Sequence, residues 1–348
     1  MDNRPLVSFC ITVYNQRRYV TTALSAAFAQ TYRPLEIVIS DDCSTDGTDE
    51  TIKTVIERYK SAGGDIHVIF NRNPANLGNL GNWLKFGELA HGELLVKADG
   101  DDISLPERTS RIVDVWLAGG KRTKCISHRA IAFDGNWRSL GVIGSTQPAG
   151  NWGCCCAYTP DCWSFFGNCK SLNHDAIDDA VFSRRVKLLN RQDCPSETVI
   201  PDALVYYRVG SGITTSSKGH IESQLVGCRA MLNSAGNLLA DSDSASGRVE
   251  ESAVKAVRDE VENGIREAEC LARLLSGGTF AVRRRACAQL FAMGGGIARR
   301  IRLMLYLLPR PFGDIILDAR DAMLRMLRRI KNGRRLKMPV PIDGEDKP

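Results

Sequence analysis

The chain has 348 residues, 43% of them hydrophobic, with 46 Lys and Arg against 40 Asp and Glu for a formal charge of +6. This places it in the globular class, as one large domain or a domain with a substantial extension. No apolar run approaches bilayer-spanning length, and twelve cysteines in a chain this long read as reduced thiols rather than a disulfide framework. Residues Met1 to Pro5 run straight into a strand-like segment without a signal peptide, so the expected location is cytoplasmic. The charge is uneven: fifteen Lys and Arg against three Asp and Glu between Phe280 and Met338 give that stretch a local +12 and leave −6 for the rest.

Along the first half, strand-like and helix-like segments alternate. Leu6 to Val13 is a continuous apolar run rich in β-branched residues, and Leu35 to Ile39, Ile66 to Phe70 and Glu93 to Ala98 read the same way. Between them Leu24, Ala27 and Phe28, then Ile52, Val55, Ile56 and Tyr59, then Leu80, Leu84 and Gly87 recur at helical spacing, with Asp46 and Thr48 expected to cap the second helix. The alternation predicts an α/β fold: a Rossmann-like, mostly parallel sheet with right-handed crossovers and flanking helices.

Two acidic clusters leave strands of this sheet. Asp99-Gly100-Asp101-Asp102 follows the fourth run, and Asp41-Asp42 follows the second. Like charges this close repel unless a cation neutralises them or they take up protons, so the first cluster is either a divalent-metal site or an acidic surface turn. Ligands of open α/β sheets gather at the carboxyl ends of strands, where both clusters converge. No glycine-rich phosphate loop follows the first strand, where Thr12-Val13-Tyr14-Asn15-Gln16 stands instead, which argues against a dinucleotide-binding protein or a nucleotidyltransferase.

Val7 to Asn15, Gln30-Thr31-Tyr32, Leu35 to Thr48, Asn76-Leu77-Gly78 and Asp99 to Arg108 together resemble glycosyltransferase family 2, the inverting nucleotide-sugar enzymes with a GT-A fold. The resemblance runs from residue 5 to about residue 215. It implies that Thr12, Tyr14 and Asp42 hold the nucleoside, with Asp42 reading uracil or an equivalent base. It also implies that Asp99, Asp101 and Asp102 serve Mn²⁺ or Mg²⁺ and the donor diphosphate, with Asp101 and Asp102 as the direct metal ligands. Arg208, with Gly210-Ser211-Gly212, is expected on the phosphates. Asp178-Asp179, opening an apolar-periodic helix, resembles the acceptor-side acidic pair, so Asp179 takes the catalytic-base role and Asp178 orients it. Trp152, in Asn151 to Tyr158, is placed at the acceptor cavity or in the core. His128 and His174 are expected in structural or acceptor-side roles, and Cys154, Cys155, Cys156, Cys162 and Cys169 lack paired zinc-ligand spacing. Two places depart from the family pattern: Gly81 precedes Asn82 where many members carry Arg, and Val209 follows Tyr207-Arg208 where a His is common.

The resemblance implies a catalytic domain over residues 1–218, and the helical spacing and charge beyond it set off a helical, basic extension over 219–338 and a flexible tail over 339–348. In the extension, helices are expected at Ile221 to Leu239 and Glu250 to Leu275, with a linker at Asp241 to Gly247. Beyond it, Ile297, Ile301, Met304, Leu305 and Leu308, then Ala319, Met323, Met326, Leu327 and Ile330, form apolar stripes beside Arg299, Arg300, Arg302, Arg325, Arg328 and Arg329. Such helices suit an anionic membrane surface on the inner face of the plasma membrane, or a bundle packed on the catalytic domain or on a second subunit of a homo-oligomer. Few aromatics and no nucleic-acid module exclude nucleic acid as the partner. The expected partners are therefore a nucleotide-sugar, UDP-linked by preference, and a glycan or lipid-linked acceptor of bacterial cell-surface polysaccharide synthesis. The competing reading is a non-catalytic membrane adaptor with a vestigial site.

Overall fold

A computed structural model describes residues 4–148, 153–166, 177–189, 197–210, 219–309, 312–333 and 336. The first half alternates as its periodicities predict: β1 (Val7–Val13), α1 (Arg17–Phe28), β2 (Leu35–Asp41), α2 (Thr48–Ser61), β3 (His67–Arg72), two short helices α3 (Gly78–Leu84) and α4 (Phe86–Leu89), then β4 (Leu94–Asp99). β1 and β2 are buried almost throughout, which is why their sequences are runs of Val, Ile, Leu and Phe rather than alternating patterns. β3, β2, β1 and β4 pair in parallel in that order, with Val13 opposite Asp41 and Thr12 opposite Asp99. That register delivers both acidic clusters to one sheet edge. The second helix is capped differently from the expectation. Gly47, at φ 86°, occupies its N-cap without a side-chain cap bond, while Asp46 accepts from the Thr48 and Arg17 backbone N–H groups at 3.1 Å each.

Past β4 the sheet becomes mixed. β5 (Ile103–Ser104) and α5 (Arg108–Ala118) lead to β6 (Cys125–Phe133), the hairpin strand β7 (Ser139–Ile143), β8 (Cys156–Tyr158), α6 (Asp161–Ser164), α7 (Asp178–Leu188) and β9 (Glu197–Arg208). β8 runs antiparallel between β4 and β6, β9 runs parallel to β6, and β5 pairs antiparallel with β9. The sheet thus has as many antiparallel pairings as parallel ones, and the mostly parallel character holds only for its first four strands in space.

The extension consists of α8 (His220–Ala245), α9 (Glu251–Leu275), α10 (Phe280–Ala292), α11 (Ile297–Leu305) and α12 (Phe312–Asn332). One face of the sheet packs on α1, α2 and α5. The other packs on α3, α4, α6 and α7, and the same core continues through Leu238 of α8 and Val254, Val257 and Val261 of α9. The linker expected at Asp241 to Gly247 is for the most part the last turns of α8. Its Ser and Asp residues favour turns in isolation, but tertiary partners decide here. Asp241 is buried and accepts from Arg185 Nε and Nη2 at 2.7 and 3.1 Å, and Ser242 Oγ donates to the Leu238 carbonyl at 2.9 Å. A separate small core, including Leu274, Cys287, Leu290, Leu303, Tyr306 and Leu317, joins the end of α9 to α10, α11 and α12.

Candidate active site

The acidic cluster at the end of β4 is held from two directions. The Gly100 N–H donates to the Thr12 carbonyl at 3.0 Å, and Thr12 Oγ1 donates to Asp99 Oδ1 at 2.7 Å. A Cβ at Gly100 would lie 2.5 Å from Gln16 Oε1 and 3.0 Å from Val13 Cγ2, so a larger residue there would have to displace the Gln16 side chain and crowd β1. From the far side of the sheet, the Arg208 N–H donates to Asp102 Oδ1 at 2.8 Å and Arg208 Nε donates to the Asp101 carbonyl at 3.0 Å. The Arg208 guanidinium sits 4.5, 4.6 and 4.9 Å from the ring centroids of Tyr19, Phe133 and Trp137. A shallow cleft of about 120 Å³ opens beside it, lined by Arg18, Tyr19, Gly135, Trp137, Arg208, Val209 and Gly210.

Asp102 is buried, and its Oδ2 has no hydrogen-bond partner. Burial, reinforced by the charges of Asp101 and Asp99, pushes its carboxyl well above the ordinary carboxylate range. Asp99, Asp102 and Cys154 each offer a ligand atom, all within 4.8 Å of one another. A buried oxygen without a partner, amid like charges that a cation or a bound proton would relieve, suits a divalent metal through the two carboxylates, with the Cys154 thiol beside them. Among the described residues this grouping does not include Asp101, whose side chain is also buried.

At the ends of β1 and β2, Asp42 is 3% exposed and both its oxygens are engaged. Oδ1 accepts from Asn73 Nδ2 at 2.9 Å and the Leu77 N–H at 2.8 Å, and Oδ2 accepts from the Gly78 N–H at 2.9 Å. A carboxylate has about four acceptor directions, so one remains for a further donor. Asp42 therefore fixes the Asn76-Leu77-Gly78 turn against the sheet edge. Asn82, beside the departure at Gly81, accepts from Ser40 Oγ at 2.6 Å and from Asn73 Nδ2 at 3.1 Å. Tyr14 is 42% exposed at the mouth of the same edge.

The acidic pair at the start of α7 is brought to this edge by Lys97, a residue of β4 that sequence reasoning passed over. Lys97 Nζ lies 2.5 Å from Asp178 Oδ2 and 3.5 Å from Asp179 Oδ1, with Lys97 and Asp178 both buried and the Asp179 side chain 34% exposed. Burial works against the Lys97 charge, but Asp178, Asp179 and Asp99 outweigh it and hold the ammonium well above its usual pKa. Burial pushes the Asp178 carboxyl up to about 7, opposed by the Lys97 charge. Asp178 is thus tied down while Asp179 faces outward. The Asp178 N–H also donates to Asn79 Oδ1 at 2.9 Å, linking the turn to α3.

A second residue missed in the sequence, Arg108, braces the floor. Fully buried at the start of α5, it donates from Nε to His128 Nε2 at 2.9 Å, from Nη1 to Ser104 Oγ at 2.9 Å, and from Nη2 to the Lys97 carbonyl at 2.6 Å and the Cys154 carbonyl. Because His128 Nε2 accepts, its proton sits on Nδ1, which donates to the Arg129 carbonyl at 2.9 Å. Burial, helped by the Arg108 charge, pulls the His128 pKa well below its usual value. The signals were present: Lys97 interrupts a run of buried apolar residues, and Arg108 closes the quoted Asp99 to Arg108 motif. The ten described cysteines form no disulfide bond. Trp152, Cys169, His174, Ser211 and Gly212 lie outside the described residues.

A mixed sheet that collects carboxylates at the ends of β2 and β4, faced by the first turn of α7, has the make-up of a GT-A protein. Residues 8–148 match the sequence model for glycosyl transferase family 2. An uncharacterised glycosyltransferase of Haemophilus influenzae is 28% identical over 241 residues, covering 64% of this chain and 72% of its own. Among solved structures, S. aureus TarS in complex with UDP-GlcNAc superposes with a TM-score of 0.56 at 17% identity, over 93% of this chain and 90% of that one. The mannosyltransferase PcManGT from Pyrobaculum calidifontis, in complex with GDP-Man and Mn²⁺, superposes with a TM-score of 0.53 at 17% identity, over 95% and 88%. Over residues 8–148 the chain is thus similar to glycosyl transferase family 2, and it shares the GT-A fold of these solved structures.

Proposed function

We propose that this transferase moves a sugar, with inversion, from a nucleotide-sugar to a glycan or lipid-linked acceptor in bacterial cell-surface polysaccharide synthesis. The observation that carries this reading is the Lys97 bridge, because one strand then connects the carboxylates of the donor side to the half-buried carboxylate of the acceptor side. In-line displacement needs those two elements on opposite faces of one sugar, and a single base rather than the pair of carboxylates used in retaining hydrolysis. Asp179 takes the proton of the acceptor hydroxyl at a carboxylate oxygen, and the oxygen so exposed attacks the anomeric carbon as the nucleoside diphosphate leaves. Asp178 and Lys97 keep the Asp179 carboxylate aimed across the cavity. Asp42 offers its remaining acceptor direction to a base N–H, with Thr12 and Tyr14 beside the nucleoside.

Asp99, Asp101 and Asp102 would hold Mn²⁺ or Mg²⁺, which when bound supplies positive charge to the departing diphosphate. Arg208 acts by donating to the Asp102 carboxylate and the Asp101 carbonyl, in addition to the phosphate contact expected from its sequence position. The nucleotides bound to TarS and PcManGT, UDP-GlcNAc and GDP-Man, support a nucleotide-sugar donor, and the Mn²⁺ in the latter supports a divalent cation. UDP is the preferred nucleotide. Turnover of a panel of UDP- and GDP-sugars, with calorimetry of UDP in the presence and absence of Mn²⁺, tests the reading. Metal-dependent nucleotide binding with donor hydrolysis is the expected result, whereas a protein that binds no nucleotide with or without metal would be the adaptor.

A further inference from the structure

We propose that the outer faces of α11 and α12 form a docking surface for an anionic lipid bilayer, an interaction that does not depend on the reaction assigned above. Each of these helices is apolar on two sides. The inner sides are already used: Leu303 of α11 and Leu317 of α12 are buried with Tyr306 and Leu290 in the small core of the extension. The outer sides are not. Ile297, Ile301 and Met304 on α11 are 78%, 57% and 56% exposed at spacings of four and three residues, so they lie on one helical face. On α12, Phe312, Ile315 and Met323 are 66%, 60% and 51% exposed, on a helix of 21 residues and therefore about 30 Å long.

Single exposed apolar residues need no explanation, but two helices that share one small core and each expose a periodic apolar stripe present more such surface than soluble monomers usually keep. The surrounding charge selects the occupant. Between Phe280 and Met338 the chain carries fifteen cationic and three acidic residues. The described arginines include Arg300 on α11 itself, and Arg284 and Arg285 on α10, which packs in the same small core; all three are exposed. Two copies meeting through this face would bring two such excesses of positive charge together, which costs energy at any separation below the screening length. A bilayer with anionic headgroups offers the complement to both features at once: negative charge for the arginines and an acyl boundary for Ile, Met and Phe. No helix among the described residues is long and apolar enough to cross a membrane. The geometry therefore points to helices lying in the interface plane.

The test is co-sedimentation of the full chain with sucrose-loaded vesicles of phosphatidylcholine, with or without about one-third phosphatidylglycerol. The protein is expected to pellet with the anionic vesicles, to remain in the supernatant with pure phosphatidylcholine, and to be released by high salt. Ile301→Glu combined with Ile315→Glu should lower the partition coefficient about tenfold, since it removes apolar contact and adds like charge to the lipid. Both positions are solvent-exposed, and unchanged circular dichroism and unchanged turnover of a soluble acceptor establish that the variant is folded. Equal pelleting of parent and variant overturns the proposal, as does a parent that ignores anionic vesicles. A parent that ignores vesicles but sediments as a dimer, which the double substitution dissociates, assigns the face to a second copy instead.

Discussion

The sheet edge and the C-terminal helices invert the ordinary rule of burial in opposite ways. At the edge, Asp41, Asp42, Asp101, Asp102 and Asp178 are all less than 9% exposed. On α11 and α12, isoleucine, methionine and phenylalanine side chains are more than half exposed. Carboxylates prefer water and aliphatic groups avoid it, so each arrangement costs folding free energy. The difference teaches that the two regions were shaped for different contacts. The edge compensates its charges internally, through Lys97 on Asp178 and Asp179, Arg72 on Asp41, and backbone N–H groups including that of Arg208, and leaves a few oxygens over. The outer apolar faces of the helices have no comparable cover among the described residues.

The comparison can be broken most sharply at Asp179, where the edge is predicted to do chemistry rather than merely stay folded. Asp179→Asn should lower turnover about a thousandfold while UDP binding by calorimetry stays unchanged. Retained turnover would reduce the pair at the start of α7 to ordinary acidity at a helix N-terminus. Next comes internal compensation itself. Lys97→Met leaves Asp178 buried without its cation, and chemical denaturation should show a loss of about 3–5 kcal/mol. Lys97→Met with Asp178→Asn removes both charges and should recover most of that stability while turnover stays low, because Asp179 then has nothing to orient it. Recovery of both would make Lys97 purely structural. A smaller effect is expected at the oxygens left over. Asp102→Asn should weaken Mn²⁺-dependent nucleotide binding by about tenfold or more, with metal-free thermal stability unchanged or raised.

The smallest predicted effect sharpens the account of the braces. The folded His128 pKa lies well below that of the unfolded chain, so below about pH 6.5 the unfolded state binds the extra proton. Stability should therefore fall as pH drops from about 6.5 toward the folded pKa, by about 1.4 kcal/mol per unit from this group alone, and should not depend on it above that range. His128→Gln should flatten that slope in denaturant titrations at a series of pH values.

Much of the parallel half was readable before any coordinates, because fully buried strands announce themselves as unbroken runs such as Val7 to Val13. The antiparallel half was not, since β8 is three residues long and β5 two, too short for any period to emerge. The acidic clusters were legible because like charges at close spacing demand a reason. Their partners were less so: nothing local says that Lys97 reaches α7 or that Arg208 returns to Asp102 more than a hundred positions away. The end of α8 was misread for the same cause, as Asp241 looks like a linker residue until Arg185 is placed beside it. Arg208 was expected on phosphate, yet the structure surrounds it with Tyr19, Phe133 and Trp137.

That placement of Arg208 has a kinetic corollary. The loop bearing Asp101 and Asp102 leaves one strand, but its shape is completed by a strand that enters the sheet about a hundred residues later. Closing so long a loop comes late in the assembly of a domain, after local helices and hairpins have formed. A chain interrupted before β9 docks would carry all three carboxylates and still present no organised site. Cation affinity measured during refolding would therefore act as a clock for the last step of sheet closure, rising when the far strand arrives and not before.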